Sequence, residues 1–232
     1  MEKQKYAAIV LAAGSGKRMN SKVHKQYLII QDRPVLYYSL KAFEDSAVDE
    51  IVLVVGKGEE EFCRKEIVDK YGISKVKAIV EGGKERYHSV FEGLKQTSDA
   101  DYVLIHDGAR PFVNQDIIRR CMQEVQKYQA CVVGMPVKDT IKIADEEGYA
   151  KQTPDRKNVW MIQTPQTFSY ALIYEAYEEM LKTEDTAITD DAMVLERTKG
   201  KKSKLIEGSY RNIKITTPED LLIANVYLQH PE

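Results

Sequence analysis

Ala7-Ala8-Ile9-Val10-Leu11-Ala12-Ala13-Gly14-Ser15-Gly16-Lys17-Arg18-Met19 joins a short apolar run to a glycine-rich, basic loop. A run of this kind, rich in β-branched residues and only a few residues long, predicts a strand at 7–12 that is buried on both faces. Gly14 and Gly16 leave the backbone bare where it exits the strand, so its N–H groups can approach phosphate oxygens closely. Two better-known glycine motifs fail on spacing. A G-x-x-x-x-G-K-[ST] loop aligned on Gly16-Lys17 needs a glycine where Leu11 stands and a hydroxyl where Arg18 stands. The dinucleotide fingerprint G-x-G-x-x-G needs a glycine at Met19. Glycine spacing alone leaves a plain turn open as an alternative. Lys17, Arg18, Lys22 and Lys25 gather cations directly after the strand and favour an anion site, although basic surface loops are common.

The pattern repeats outward from this run. Further strands are expected at Ile51–Val55, Val76–Val80, Tyr102–His106 and Cys131–Pro136, with helical spacing at 34–45, 59–71, 86–97 and 115–128. Pro34 opens one helix and Asn114 caps another. Strands alternating with helices predict a mostly parallel twisted sheet with helices on both faces, an α/β, Rossmann-like three-layer sandwich over 1–232. Ligands bind such sheets outside the strand C-termini, where Ala12 and Asp107 fall. The polar stretch 137–159 interrupts the alternation. With Gly148 near a turn, it reads as a protruding β-arm, and an arm with little core of its own is expected to pack on a second copy. Helices are expected at 169–182 and 190–198, then strands at Lys204–Glu207 and Asn212–Thr216. Thr217 and Pro218 open a last helix.

Composition narrows the class. The chain has 232 residues and a formal net charge of -2, so no overall basic field favours nucleic acid. Cys63, Cys121 and Cys131 form neither a metal spacing nor a disulfide framework, which fits a reducing compartment. The first apolar run is too short for a membrane span, and a cytoplasmic protein with no membrane partner is expected.

Residues 11–19 followed by Lys25-Gln26-Tyr27-Leu28 resemble the signature of pyrimidine nucleotidyltransferases, and more narrowly of the 2-C-methyl-D-erythritol 4-phosphate cytidylyltransferases. Further similar segments are Gly82-Gly83-Lys84-Glu85-Arg86 with Ser89, residues 106–112 (HDGARPF), 137–142 (VKDTIK), 163–168 (QTPQTF), 188–192 (ITDDA) and 207–216 (EGSYRNIKIT). Each is short, but their shared order covers almost the whole chain. Lys84 departs from the aspartate common in that family, and Leu11 from a proline.

The resemblance implies that a phosphate monoester attacks the α-phosphorus of CTP and releases pyrophosphate, with Mg²⁺ assisting. Carried over residue by residue, it implies that Arg18 and Lys25 stabilise the transition state. Gly14, Ser15 and Gly16 would line the triphosphate, with Ala12 and Ala13 against the nucleoside. Gly82, Gly83 and Ser89 would read the cytosine, and Asp107 would sit by the ribose and the metal. Arg156, Lys214 and Thr140 would hold 2-C-methyl-D-erythritol 4-phosphate, with Arg110, Thr164 and Thr189 beside them. Arg156 and Thr140 lie on the arm, so the resemblance implies a homodimer that shares its active sites. Without it, Lys214 between Ile213 and Ile215 reads as an exposed edge lysine, and Arg110 equally as a loop brace. Ribitol 5-phosphate cytidylyltransferase is the alternative enzyme, and a nucleotide-binding regulatory module the alternative of another class.

Overall fold

The computed structural model describes residues 3–14, 24–183 and 187–230. Ser15, Gly16, Lys17, Arg18 and Lys22 therefore lie outside the described residues.

In chain order the strands are β1 (Tyr6–Ala12), β2 (Ile29–Ile30), β3 (Arg33–Pro34), β4 (Glu50–Val55), β5 (Val76–Glu81), β6 (Tyr102–Asp107), β7 (Ala130–Pro136), β8 (Ile143–Ala144), β9 (Ala150–Gln152), β10 (Trp160–Ser169) and β11 (Lys204–Glu207). The helices are α1 (Val35–Glu44), α2 (Glu60–Cys63), α3 (Arg86–Leu94), α4 (Gln115–Tyr128), α5 (Tyr170–Met180), α6 (Asp191–Lys199) and α7 (Pro218–Gln229). A seven-stranded sheet runs β11-β7-β10-β6-β1-β4-β5. Every neighbouring pair in it is parallel except the two that involve β10.

The alternation of β1 explains the three layers. Ala8, Val10 and Ala12 face one side, where they pack with Leu36, Leu40 and Phe43 of α1 and with Ile117, Cys121 and Val125 of α4. Ala7 and Ile9 face the other, against Val90 and Leu94 of α3, Ile173 and Tyr177 of α5, and Val194 of α6. A strand buried on both faces reads as a continuous apolar run because every position loses water on folding.

Helix ends follow their expected chemistry. Ile117 N–H donates to Asn114 Oδ1 at 3.0 Å, and Thr217 forms a capping box with Asp220 ahead of Pro218. Three features differ from the sequence reading. The expected helix over 59–71 is a single α-helical turn, α2, continued by a π-helical stretch at Arg64–Asp69. Residues 160–169 form the long strand β10, for which the pattern gave no element. Asn212–Thr216 is not a strand: it makes no ladder, and Ile215 N–H instead donates to Ala109 O at 2.8 Å. Within 137–159, β8 and β9 form an antiparallel hairpin whose residues are exposed, with Gly148 at φ +89° in the turn between them.

Candidate active site

Parallel strands deliver the C-terminal ends of β1, β4, β5, β6 and β7 to one edge of the sheet. Being antiparallel, β10 starts at that same edge, and its register places Gln166 opposite Ile105. Two adjoining cavities open there. The larger, about 400 Å³, is lined by Ala12, Ala13 and Gly14 from the end of β1, by Lys25 and Gln26, by Gly83, Lys84, Glu85, Arg86 and Ser89 at the start of α3, and by Asp107, Ala109 and Lys214. The smaller, about 330 Å³, is lined by Arg110, Ile162, Gln163, Thr164, Gln166, Thr189 and Asp190. Arg86, Asp107 and Lys214 border both and form the wall between them.

That wall is an ion cluster. Asp107 receives Lys214 Nζ at 2.8 Å on Oδ2, with Arg86 Nε at 3.5 Å from Oδ1 and Arg110 Nε at 3.8 Å from Oδ2. Burial by itself would push the Asp107 carboxyl up, yet Lys214, Arg86 and Arg110 outweigh it and hold the group well below the usual carboxylate range. Asp107 is therefore an anion at every working pH. Lys214 is no exposed edge lysine, because its irregular segment turns it onto Asp107. Arg110 acts both as brace and as lining: its guanidinium donates to Asn212 O at 2.8 Å and Ile162 O at 3.4 Å while facing the smaller cavity.

Buried hydrogen bonds fix the end of β6. Thr164 Oγ1 accepts from Asp107 N–H at 3.1 Å and lies 3.0 Å from His106 Nδ1. His106 Nε2 lies 3.2 Å from Arg110 O, a carbonyl that can only accept, so Nε2 carries the proton and Thr164 donates to Nδ1. Burial lowers the His106 pKa to about 4, which keeps the ring neutral in this relay.

Arg86 is a residue that sequence reasoning quoted without a role. Its Nη atoms form a bidentate pair with fully buried Asp191 at 2.8 and 2.7 Å, and Tyr177 hydroxyl donates to the same carboxylate at 2.6 Å. Gln166 Oε1 accepts from the N–H groups of Asp191 and Ala192 at 3.0 and 2.9 Å, anchoring the start of α6 to β10. The signal was present: Arg86 and Asp191 each sit in a motif several of whose other residues line a cavity.

Gly82, Gly83 and Ser89 lie together as well. Ser89 Oγ accepts from Gly83 N–H at 3.1 Å and donates to Glu85 O at 3.3 Å. Gly82 is packed too tightly for a side chain, since a Cβ would lie 2.6 Å from both Ala13 Cβ and Ser89 Oγ. Buried Gln26 donates to Ala12 O and ties the Lys25 segment to β1. Thr140 and Arg156 do not reach either cavity of their own chain; both are exposed, and Arg156 donates to Lys138 O at 2.8 Å. Ser15, Gly16 and Arg18 lie outside the described residues. Among the described residues, no group of three His, Cys, Asp or Glu is arranged to hold a metal, and no helix is long and apolar enough to cross a membrane.

Comparison with known proteins agrees with this geometry. A sequence model of the family described as 2-C-methyl-D-erythritol 4-phosphate cytidylyltransferase matches residues 6–230. A relative of that name from Lachnospira eligens is 54% identical over 224 residues, covering 96% of this chain and 98% of its own. Another from Lachnoclostridium phytofermentans is 50% identical over 226 residues, covering 97% of each. The crystal structure of 4-diphosphocytidyl-2C-methyl-D-erythritol synthase from Anaerococcus prevotii superposes with a TM-score of 0.86 at 38% identity, covering 98% of this chain and 97% of that one. With its fold, its motifs and almost its entire length in common with these proteins, the chain belongs to the 2-C-methyl-D-erythritol 4-phosphate cytidylyltransferase family.

Proposed function

We propose that this enzyme transfers the cytidylyl group of CTP to 2-C-methyl-D-erythritol 4-phosphate, yielding 4-diphosphocytidyl-2-C-methyl-D-erythritol and pyrophosphate for isoprenoid biosynthesis. The observation that carries this reading is the pair of adjoining cavities with a shared cationic wall. CTP takes the larger one. Its base lies near Gly82, Gly83 and Ser89, its nucleoside against Ala12 and Ala13, and its triphosphate runs toward Gly14 and Lys25. The acceptor takes the smaller one, beside Arg110, Thr164, Thr189 and Lys214.

An acceptor phosphate oxygen attacks the α-phosphorus, the bond from that phosphorus to the bridging oxygen breaks, and its electron pair leaves with pyrophosphate. The nucleophile is already an anion, so no general base is needed. The barrier lies in bringing anions together and in the charge that grows on non-bridging oxygens, which preorganised cations stabilise. Lys25 on the triphosphate side and Lys214 on the acceptor side supply such charge, and Arg18 is assigned the same role as Lys25. At the shared wall, Lys214, Arg86 and Arg110 are held in place by Asp107 and Asp191, so cations stand fixed between the two phosphorylated substrates, with Lys25 adding charge on the larger cavity's side.

A divalent cation, Mg²⁺ by its preference for phosphate and water oxygens, fits Asp107. Lys214 occupies Oδ2, whereas among the described residues Oδ1 is approached by Arg86 Nε at 3.5 Å, which leaves it lone pairs for a metal ligand. When bound, the ion neutralises triphosphate charge. A homodimer in which Thr140 and Arg156 of each arm serve the other copy completes the acceptor pocket, and a cytoplasmic location suits three buried free thiols.

Pyrophosphate release measured with CTP and a panel of polyol phosphates tests the reading. Turnover is expected with 2-C-methyl-D-erythritol 4-phosphate and to be much lower with ribitol 5-phosphate. Equal or faster turnover with ribitol 5-phosphate overturns the substrate assignment, and CTP binding with no turnover on any acceptor makes the chain a regulatory module.

A further inference from the structure

Lys25 stands on a single 3-10 turn, Lys25–Tyr27, between the glycine-rich loop and β2. One turn has no stability of its own, so something outside it must set where Lys25 points. Gln26 fixes the inner side through Ala12 O. The outer side is gripped by one carboxylate, Glu59, from the loop after β4.

Glu59 Oε1 accepts from His24 Nδ1 at 2.7 Å, and Oε2 accepts from the Tyr27 hydroxyl at 2.7 Å and from Gly56 N–H at 3.0 Å. The residues flanking Lys25 on either side of the turn thus converge on the same group. Glu59 is itself fixed by its N–H donating to Gly56 O at 3.0 Å. It lies so close to the backbone that a Cβ at Gly56 would come within 2.6 Å of Oε2. Phe62 packs edge-on to the Tyr27 ring at 5.1 Å, and the Cys63 thiol lies 3.1 Å from its hydroxyl. Burial holds that hydroxyl protonated, so it remains a donor to Glu59.

We infer that Glu59 is a positioning residue for the reaction: it clamps His24 and Tyr27 together and so fixes Lys25 at the triphosphate side of the larger cavity. An ordinary surface ion pair would join two groups and contribute little. Here one carboxylate with a side chain 19% exposed collects a ring N–H, a phenol and a backbone amide around a single functional lysine. Displacing a reacting group by about 1 Å costs a large factor in rate, so the clamp is read in kcat rather than in binding.

The inference rests on Lys25 acting in the reaction, and the test separates the two. Steady-state kinetics are measured for E59A, E59Q, K25A and the double variant E59A/K25A, each checked for folding by its thermal transition. E59A is expected to lower kcat roughly tenfold with the KM for CTP within about twofold of wild type. E59Q, whose amide oxygen still accepts from Tyr27 and Gly56, is expected to recover most of that loss. In the K25A background, E59A is expected to add nothing, because the lysine it positions is gone. Wild-type kcat in E59A beside a crippled K25A overturns the clamp alone. So do losses that multiply in the double variant, which would mark a general structural effect. Wild-type kcat in K25A overturns the role of Lys25, and the clamp with it.

Discussion

At the scale of single residues, the centre of the site is a charge held in place by groups that do not titrate near neutrality. Asp107 stays ionised because three cations surround it, while His106 next to it stays neutral because it is buried. The two have different consequences for stability. Free histidine takes up a proton near pH 6.5, whereas His106 does so only near about 4. Between those values the unfolded chain binds the extra proton and the folded one does not. Stability is therefore fully present above about 6.5 and is lost as pH falls toward 4, by roughly 3 kcal/mol from this residue at its full extent. Asp107 is depressed as well, but in a lower window, so its contribution is complete above the ordinary carboxylate range and falls away only in stronger acid. Denaturant unfolding of wild type and H106Q at intervals from pH 7 to 4.5 checks this. The difference between their stabilities is expected to shift steadily in favour of H106Q as pH falls, and a pH-independent difference would mean that His106 titrates normally. Arg86 makes the companion point about what was visible beforehand. Its motif was recognised, but its partner Asp191 is 105 positions away, and no local pattern announces a bidentate pair closed by the fold.

At the scale of elements, what could be read from sequence was what burial dictates locally. β1, β4, β6 and β7 are apolar runs because both of their faces are covered, β5 is a mixed run because it lies half-exposed at the sheet edge, and their order with the helices places Ala12 and Asp107 at one edge. β10 escaped because it breaks that rule. Gln163, Thr164, Gln166 and Thr167 are buried in it, and their polarity reads as loop. The polar atoms of the first three bind Ser209 O, His106 and the N-terminus of α6, so the strand meets its desolvation cost by stitching the site together. Asn212–Thr216 failed in the opposite sense: it alternates like a strand but has no neighbour to pair with, and it serves to turn Lys214 inward. The loop between β5 and α3 offers a sharp test at this scale. Gly82→Ala places a methyl 2.6 Å from Ala13 Cβ and Ser89 Oγ, at the point where two segments of the proposed base pocket meet. It is expected to cost about 1–3 kcal/mol of stability and to raise the KM for CTP more than that for the acceptor. Unchanged CTP affinity would remove Gly82 from the base pocket.

At the scale of the whole molecule, the two cavities and the arm stand apart within one chain. The smaller cavity is lined by Arg110 and Lys214, which we propose hold the acceptor phosphate, whereas Thr140 and Arg156 sit on an exposed segment and reach neither cavity of their own chain. Tyr149 on the arm is 70% exposed, and Ile143, Met161 and Ile162 are exposed on it or at its base. Apolar side chains presented this way on a hairpin with so little core are the composition of a surface meant to be covered. If the covering body is a second copy related by two-fold symmetry, each active site combines Lys25 of one subunit with Arg156 of the other. Subunit mixing then has a definite outcome. K25A and R156A are each expected to be nearly inactive alone. In a mixed dimer, however, one of the two sites receives Lys25 from the R156A chain and Arg156 from the K25A chain, and is wholly wild type. Refolding or co-expressing the two variants in equal amounts produces mixed dimers in half of the population, each with one intact site, so activity should recover to about a quarter of wild type. A mixture no more active than the average of its parents would show that each arm serves its own chain, and Arg156 would then have to reach the acceptor by moving from the position it holds against Lys138.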